Sequence, residues 1–229
     1  MQGNPADIAQ LLATFTGRDL TATLGKVENS VPGLTADGCQ AFLEYAGAGR
    51  DVLAAAAEMK RLAGQINVTI HALGILLCLP HILEPGEQVE YVSLGAGNTG
   101  RSFDLETNRR VAEFKFIKWR GGPESIRQNG VFKDFFLLAS HATNKRRYLY
   151  LLGTHYPLKF FNGGRALDSV LSRDGKLRAV FSERHGDRFM RVRDYYAEHS
   201  DQVLIEDVSP WLSELAEGLI DAAVDEGDL

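Results

Sequence analysis

The hydrophobic period of the sequence changes twice between residues 66 and 153, and this order of elements is the strongest constraint on the fold. Residues 66–82 have the pattern of a buried helix. Alternating segments follow and predict three successive strands, over 90–94, 101–107 and 110–119. A helix over 123–142 and a strand over 147–153 come next. We expect α/β or α+β layers built around one mixed sheet.

The flanking segments are mostly helical in pattern. We predict helices over 5–16, 36–47 and 50–63 before the strands, and over 164–172, 186–198 and 210–224 after them. Residues 17–35 hold Gly, Pro, Asn and Ser and predict a loop or small hairpin. Residues 203–207 predict a late strand. The chain therefore divides into an N-terminal helical extension, 1–65, and an α/β domain, 66–229, with an acidic C-terminal helix.

The net charge of −5 hides a strong asymmetry along the chain. Residues 1–100 carry 5 basic and 10 acidic side chains, whereas residues 101–193 carry 20 basic and 9 acidic ones. Residues 194–229 carry no basic and 11 acidic side chains. The basic middle segment indicates a polyanionic partner, unless it is neutralised by packing against the acidic end.

Several classes of protein do not fit the composition. The two cysteines, Cys39 and Cys78, form no CxxC pair, which argues against a zinc cluster or a disulfide framework. Cys78 lies in an apolar run and is expected to be a small core residue. The N-terminus lacks the basic start and apolar core of a signal peptide. The apolar run Ala72–Leu79 by itself is too short to span a bilayer, so we expect a cytoplasmic protein.

One glycine-rich segment, Gly95–Gly100, matches the pattern GxGxxG after a strand. A dinucleotide site needs a helix to begin there, so that the backbone N–H groups of its first turn meet the pyrophosphate. The residues that follow alternate like a strand instead. The segment therefore indicates a glycine-rich connection, and a nucleotide-cofactor enzyme using it is the weakest of the alternatives.

The stronger signal is Asp104, followed nine residues later by Glu113-Phe114-Lys115. Strand residues two apart share a face at a spacing of about 7 Å, so Glu113 and Lys115 project together. A turn at Asn108-Arg109 would place Asp104 beside Glu113. We therefore predict that two carboxylates and a lysine converge at one end of the sheet.

Such a set suits phosphate chemistry. Mg²⁺ prefers oxygen ligands and keeps several waters, so one or two carboxylates and a substrate phosphate suffice to bind it. Two adjacent carboxylates repel one another, and a divalent cation relieves that repulsion. A lysine beside the metal can hold the attacking water and stabilise negative charge in the transition state.

At these residues the sequence resembles the PD-(D/E)XK nuclease superfamily. Phe103-Asp104 matches the first half-motif, with Phe103 in place of its proline, and Glu113-Phe114-Lys115 matches the second. The resemblance covers roughly residues 66–154. It implies a restriction-endonuclease-like core, in which a central mixed sheet is flanked by helices. It also implies that Asp104, Glu113 and the Phe114 carbonyl bind Mg²⁺, with Mn²⁺ as an alternative, and that Lys115 positions the water.

One departure from the superfamily concerns the helix before the first strand. Many members carry an acidic residue there, but residues 66–82 contain none. Glu58 on the preceding helix is the nearest upstream acid, and Gln65, Asn67 or His71 are other candidates for its place. The missing third acid favours one-metal chemistry.

Further polar residues are candidates for supporting roles. By resemblance, Gln128 on the helix after the motif is the choice for an auxiliary residue. Contacts with nucleic-acid phosphates are assigned to basic residues that follow the third strand or precede the fourth: Lys118, Arg120, Lys145, Arg146 and Arg147. Each of these five is equally explained as an ordinary surface charge.

Taken together, the sequence predicts a metal-dependent endonuclease that hydrolyses phosphodiester bonds in nucleic acid. DNA is the expected substrate, and the sequence does not settle DNA against RNA. Restriction, repair and phage defence are all open as its biological role. The alternative is a module that keeps the fold and binds nucleic acid or protein without turnover. By resemblance to nucleases that cut two strands as dimers, we expect a homodimer or a protein partner bound through the N-terminal helices.

Overall fold

The computed structural model describes residues 4–95, 102–119, 121 and 124–216, which divide into two compact units, Met1–Asn67 and Val68–Leu229. The sequence places this boundary two residues earlier, after residue 65. Within the described ranges, four helices precede the first strand: α1 (Pro5–Thr16), α2 (Leu20–Ser30), α3 (Ala36–Tyr45) and α4 (Arg50–Ile82). The last of these, α4, contributes residues to both units.

Two predictions for the N-terminal region are wrong. The segment 17–35, expected to be a loop or hairpin, contains α2, whose first turn is capped by Asp19 through a hydrogen bond from the Ala22 N–H. None of the α2 residues is buried. Leu20, Leu24 and Val27 stand at helical spacing, but the Gly, Pro, Asn and Ser residues of the segment outweigh this pattern as loop signals. The helices predicted over 50–63 and 66–82 form the single helix α4, which continues through Gly64.

The described residues of the second unit contain five strands that form one mixed sheet in the order β1-β2-β3-β4-β5. The first three strands are antiparallel neighbours, whereas β3, β4 and β5 run parallel to each other. Their bounds are β1 (Val89–Val92), β2 (Leu105–Thr107), β3 (Arg110–Lys115), β4 (Arg146–Leu151) and β5 (Leu204–Asp207). The α/β class and the mixed sheet predicted from the sequence are confirmed.

In the described part of the second unit, helices follow β3, β4 and β5. They are α5 (Ser125–Ala139), α6 (His155–Phe161), α7 (Leu167–Leu171), α8 (Gly175–His185), α9 (Val192–His199) and, after a 3-10 turn over Ser209–Trp211, α10 (Ser213–Ala216). The sequence does not predict α6 or α8. In α8 only Leu177 and Phe181 are buried among charged residues, so its amphipathic pattern is weak. In α6, Pro157 suggests a break but lies in the first turn, where proline is tolerated.

Both faces of the sheet are packed. On one face Val111 and Leu149 join the phenylalanines of α5, of which Phe132 and Phe135 are fully buried. On the other face Phe114 and Tyr150 pack against residues of α4 that include Cys78. Cys78 is a buried core residue, as predicted, and its burial raises the pKa of the thiol to about 11. Successive side chains of β3 therefore pack into two different cores. Because a shift by one residue would exchange the two sets of side chains, this packing fixes the register of the strand.

Arg110 and Glu87 form an ion pair inside this unit. Arg110 donates through Nε and Nη2 to the two oxygens of Glu87, at 2.6 and 2.5 Å, and through Nη1 to the Tyr150 hydroxyl at 2.7 Å. Thr107 Oγ1 donates to Glu87 Oε1 at 2.5 Å. Burial alone would raise the pKa of Glu87, but the hydrogen bonds from Arg110 and Thr107 hold it at about 2. The ionised pair therefore ties the start of β3 to the segment before β1.

By length and composition, one helix in the described ranges, Arg50–Ile82, is apolar enough to cross a membrane. The core helix of a globular protein passes the same test, so this is weak evidence. The run Ala72–Leu79 is part of this 33-residue helix, so the shortness of the run alone does not exclude a membrane-spanning helix. The cytoplasmic location stays a prediction.

Gly74 on α4 allows a close approach to Phe116. A Cβ atom at Gly74 would lie 2.7 Å from Cζ of the buried Phe116 ring, whereas at Gly64 it would meet nothing within 4 Å. We expect Gly74→Ala to lower the free energy of unfolding by about 1–3 kcal/mol, because overpacking outweighs the gain in helix propensity. Gly64→Ala, the matched control on the same helix, should raise it by up to about 1 kcal/mol. Urea denaturation of both variants measures the difference, and equal stabilities would contradict the close packing.

Candidate active site

Asp104 and Glu113 meet because β2 and β3 pair in antiparallel fashion across the predicted turn. Leu105 pairs with Ala112, which places Asp104, one residue before β2, opposite Glu113. The Asp104 N–H donates to Glu113 Oε2 at 3.2 Å, and Asp104 Oδ2 accepts from the Phe114 N–H at 3.0 Å. These two hydrogen bonds hold both carboxylates at the same end of the sheet.

Lys115 projects from the same face of β3 as Glu113. Its Nζ atom lies 3.5 Å from Glu113 Oε1 and 3.0 Å from Asp134 Oδ2. Phe114, between them in sequence, points to the other face and is fully buried. The side chains of Asp104, Glu113 and Lys115 are 14%, 16% and 35% exposed to solvent, so the group is accessible from solvent. The structure thus brings together the three residues that the sequence singles out.

Two further side chains reach this group from helices. Asp134 on α5 is buried and forms the ion pair with Lys115 just described. His71 on α4 places Nε2 3.3 Å from Asp104 Oδ1, and its ring packs edge-on against Phe116. The sequence offered His71 as one of several replacements for the missing acid and did not identify Asp134. A signal for Asp134 was present, since it shares a helix face with the buried Val131 and Leu138.

The charges of this cluster shift its pKa values. Burial raises the pKa of Glu113, and the charges of Asp104 and Asp134 raise it further, to about 7. Burial also raises the pKa of Asp134, although Lys115 opposes the shift. For Lys115, burial favours the neutral form, but the charges of Asp134 and Glu113 outweigh it and raise the pKa. Three carboxylates around one ammonium leave an excess of negative charge, which a cation would offset.

Stability of the metal-free protein should report this shift in pKa. The pKa of Glu113 is raised from 4.5 to about 7 on folding. Its contribution to the free energy of unfolding is therefore fully present below pH 4.5 and is lost as the pH rises through 7. We expect the free energy of unfolding in EDTA to fall over this interval, and Glu113→Gln to reduce the slope. Urea denaturation across the pH range measures both. Glu106→Gln, on the neighbouring strand, is the control and should keep the wild-type slope; an unchanged slope in Glu113→Gln would contradict the assignment.

The donor set fits a small divalent cation that keeps most of its water. Asp104 and Glu113 supply carboxylate oxygens, and the Phe114 carbonyl belongs to the same segment. Mg²⁺ commonly binds through one or two carboxylates together with a substrate phosphate. Within the described ranges, no group of three or more His, Cys, Asp or Glu side chains is arranged to hold a metal. The set therefore suits one weakly chelated ion better than a preformed metal cage.

The other predicted site residues have different partners. Gln128 accepts a hydrogen bond from Arg165 Nη1, and Glu58, in the first unit, forms an ion pair with Arg61 at 2.6 Å. Lys118 donates to the Ala216 carbonyl. Arg120 lies outside the described residues, as do residues 96–100 of the glycine-rich segment.

The basic residues before β4 are engaged within the protein. Lys145 forms ion pairs with Glu90 and Glu106, at 2.6 and 2.8 Å, and Arg146 pairs with Glu84. Arg147 donates to the backbone carbonyls of His141 and Thr143. Binding a phosphate through any of these three side chains would compete with an existing contact.

Comparison with models of protein families, with curated proteins and with solved structures found no match for this chain. The functional interpretation therefore depends on the geometry and charge of the site itself. What the arrangement offers is a pair of carboxylates for a cation, a lysine beside them, and access from solvent.

Proposed function

We propose that this protein is a metal-dependent nuclease that hydrolyses phosphodiester bonds in nucleic acid, with DNA preferred to RNA. The observation that carries the proposal is the convergence of Asp104, Glu113 and Lys115 at one end of the sheet. We also propose that the sheet and its helices form a restriction-endonuclease-like core. This is supported by the order of three antiparallel strands, a helix and a parallel fourth strand, with the acidic residues at the end of the β2–β3 pair that lies opposite the Asn108-Arg109 turn.

In this proposal Asp104, Glu113 and the Phe114 carbonyl hold Mg²⁺ or Mn²⁺. When bound, the cation supplies Lewis-acid stabilisation of charge on the phosphate and lowers the pKa of water. The raised pKa of Glu113 supports a cation here, since an adjacent positive charge favours the ionised carboxylate. The hydrogen bond between Asp104 Oδ2 and the Phe114 N–H keeps the Asp104 carboxylate oriented toward its neighbour.

Lys115 orients the attacking water and offsets negative charge that develops on the phosphate oxygens. Its raised pKa keeps the ammonium charged at neutral pH, so it donates hydrogen bonds and does not act as a base. The ion pair between Asp134 Oδ2 and Lys115 Nζ, at 3.0 Å, limits the positions that the ammonium can take. A preoriented donor of this kind stabilises the transition state without reorganisation during the reaction.

His71 on α4 supports the Asp104 carboxylate through the 3.3 Å contact between its Nε2 atom and Oδ1. Groups that hydrogen-bond a metal-binding carboxylate fix its orientation, and their loss weakens metal binding. We therefore assign His71 a positioning role in place of the missing upstream acid.

The test is cleavage by the purified 229-residue chain. Supercoiled plasmid, single-stranded DNA and a structured RNA are incubated with Mg²⁺, with Mn²⁺ and with EDTA. We expect strand cleavage of DNA with either metal and none in EDTA. Failure to cleave any substrate with either metal would overturn the proposal. If the protein then still shifted labelled DNA in a gel, a non-catalytic nucleic-acid-binding module would replace it.

If the protein is a nuclease, restriction, repair and phage defence are the candidate roles. We also propose that it assembles with a second copy or a partner protein through α1–α3. Cleavage of unmodified but not methylated plasmid would favour restriction. Sedimentation at several protein concentrations measures the assembly, and a single monomeric species would contradict a dimer.

A further inference from the structure

A cavity of about 170 Å³ opens beside the candidate active site. One wall is Phe103, the residue bonded directly to Asp104, so the cavity lies within one residue of the paired carboxylates. Leu137 on α5 and Val180 on α8 provide further apolar wall, and the Phe103 ring meets the His141 ring edge-on at 4.9 Å. Apolar and aromatic side chains therefore form about half of the lining, and polar groups form the rest.

The lining of the cavity also includes polar side chains and the guanidinium group of an arginine. Ser102, Ser140 and His141 contribute hydrogen-bonding groups, and Arg184 stands at the edge. Arg184 is exposed and donates one hydrogen bond, from Nη1 to the Ser140 carbonyl at 3.3 Å. Within the part of the chain that the structure describes, it forms no ion pair, in contrast to Lys145, which pairs with two glutamates. Its remaining N–H groups face no described acidic partner and are available to a ligand.

We propose that this cavity binds one unstacked nucleobase of the strand whose phosphate lies at Asp104, an inference that rests on the proposed nuclease function. Apolar and aromatic walls with a few hydrogen-bonding groups are what a base removed from its stack requires. An arginine at the mouth can contact the adjoining phosphate or the edge of the base. The net charge of +11 over residues 101–193, which include the cavity residues, favours a polyanion at this surface.

The size of the cavity supports a single base. An apolar cavity of about 150 Å³ holds one benzene molecule, so 170 Å³ accommodates one six-membered ring. Pockets for cofactors and other drug-sized ligands begin at about 300 Å³. A base can enter only when it is unpaired, and the substrate is therefore single-stranded or locally opened nucleic acid.

The test measures binding in EDTA, where no cleavage occurs. The probes are a labelled thymidine oligonucleotide and a strand of equal length made of abasic residues, and the readout is fluorescence anisotropy. We expect the 229-residue chain to bind the thymidine strand at least about fivefold more tightly, the low end of what stacking of one base on an aromatic side chain contributes. Equal affinity for the two strands would overturn the proposal.

Val180→Glu closes the cavity, and Ala179→Glu is its matched control. Both positions are exposed on α8, and both variants add one negative charge. A glutamate at 180 lies four residues before Arg184, so it can pair with the arginine while it occupies the mouth. We expect Val180→Glu to abolish the preference for the thymidine strand and Ala179→Glu to retain it. If both variants lowered the preference equally, the effect would be one of charge alone and the cavity would not be a subsite.

A second matched pair tests the arginine. Arg184→Gln should weaken binding of the thymidine strand more than Arg178→Gln does, although both remove one charge from α8. Arg178 is paired with Asp168 and does not line the cavity. Equal losses would remove Arg184 from the proposal. Cleavage is measured in parallel with Mg²⁺: cleavage without base preference overturns only the subsite, and base preference without cleavage overturns only the nuclease function.

Discussion

Lys115→Met is expected to lower the rate of Mg²⁺-dependent plasmid cleavage by about 10²–10³-fold, the usual cost of removing one preoriented donor to a transition-state anion. Methionine keeps the length of the side chain but cannot donate to water or phosphate. Lys159→Met is the matched control, because Lys159 is an exposed lysine on α6 with no assigned role in the site. Initial rates of plasmid relaxation measure both variants, and we expect the control to stay within a factor of two or so of wild type.

Loss of Lys115 also leaves Asp134 buried without its cation, which lowers stability for a reason unrelated to catalysis. The double variant Lys115→Met with Asp134→Asn separates the two effects. Since the neutral amide needs no counter-ion, the double variant should recover the unfolding midpoint but not the cleavage rate. Recovery of cleavage, or a wild-type rate in Lys115→Met itself, would show that Lys115 is not part of the site.

The pairing of Asp104 with Glu113 could be predicted because it depends on local rules. A period of two places Glu113 and Lys115 on one face, and a two-residue turn at Asn108-Arg109 sets the register with Asp104. Each rule involves residues within about a dozen positions of one another. The strand pair that carries the site was therefore the most predictable part of the fold.

The contributions of His71 and Asp134 depend on how two helices are rotated against the sheet, and no local pattern encodes that rotation. For α5, the sequence indicates a helix and its apolar face but not which residue meets Lys115. Gln128, chosen by resemblance, is six residues earlier on α5 and bonds to Arg165 instead. The ion pairs of surface residues are equally non-local, since Lys145 pairs with Glu106 and Glu90, which lie 39 and 55 residues away in the sequence.

The largest expected effect on stability is at Arg110. Its side chain is 3% exposed and that of Glu87 is fully buried. Within the described residues, Arg110→Met would leave the Glu87 carboxylate in the interior with Thr107 as its remaining side-chain donor. Removing one partner of a buried pair costs about 3–5 kcal/mol, because the remaining charge is neither solvated nor paired. We expect the free energy of unfolding, measured by urea denaturation at neutral pH, to fall by about that amount.

Arg109→Met is the control one residue away, since Arg109 is 43% exposed and contacts Glu84 only at 3.3 Å. We expect it to leave the free energy of unfolding nearly unchanged, because exposed ion pairs contribute little. Adding Glu87→Met to Arg110→Met should restore most of the loss, since a buried pair can be replaced by apolar side chains of similar volume at small cost. A loss below about 1 kcal/mol in Arg110→Met would show that Glu87 is hydrated in solution. A loss that persisted in the double variant would instead locate the stabilisation in the hydrogen bond from Arg110 to Tyr150, which ties β3 to β4.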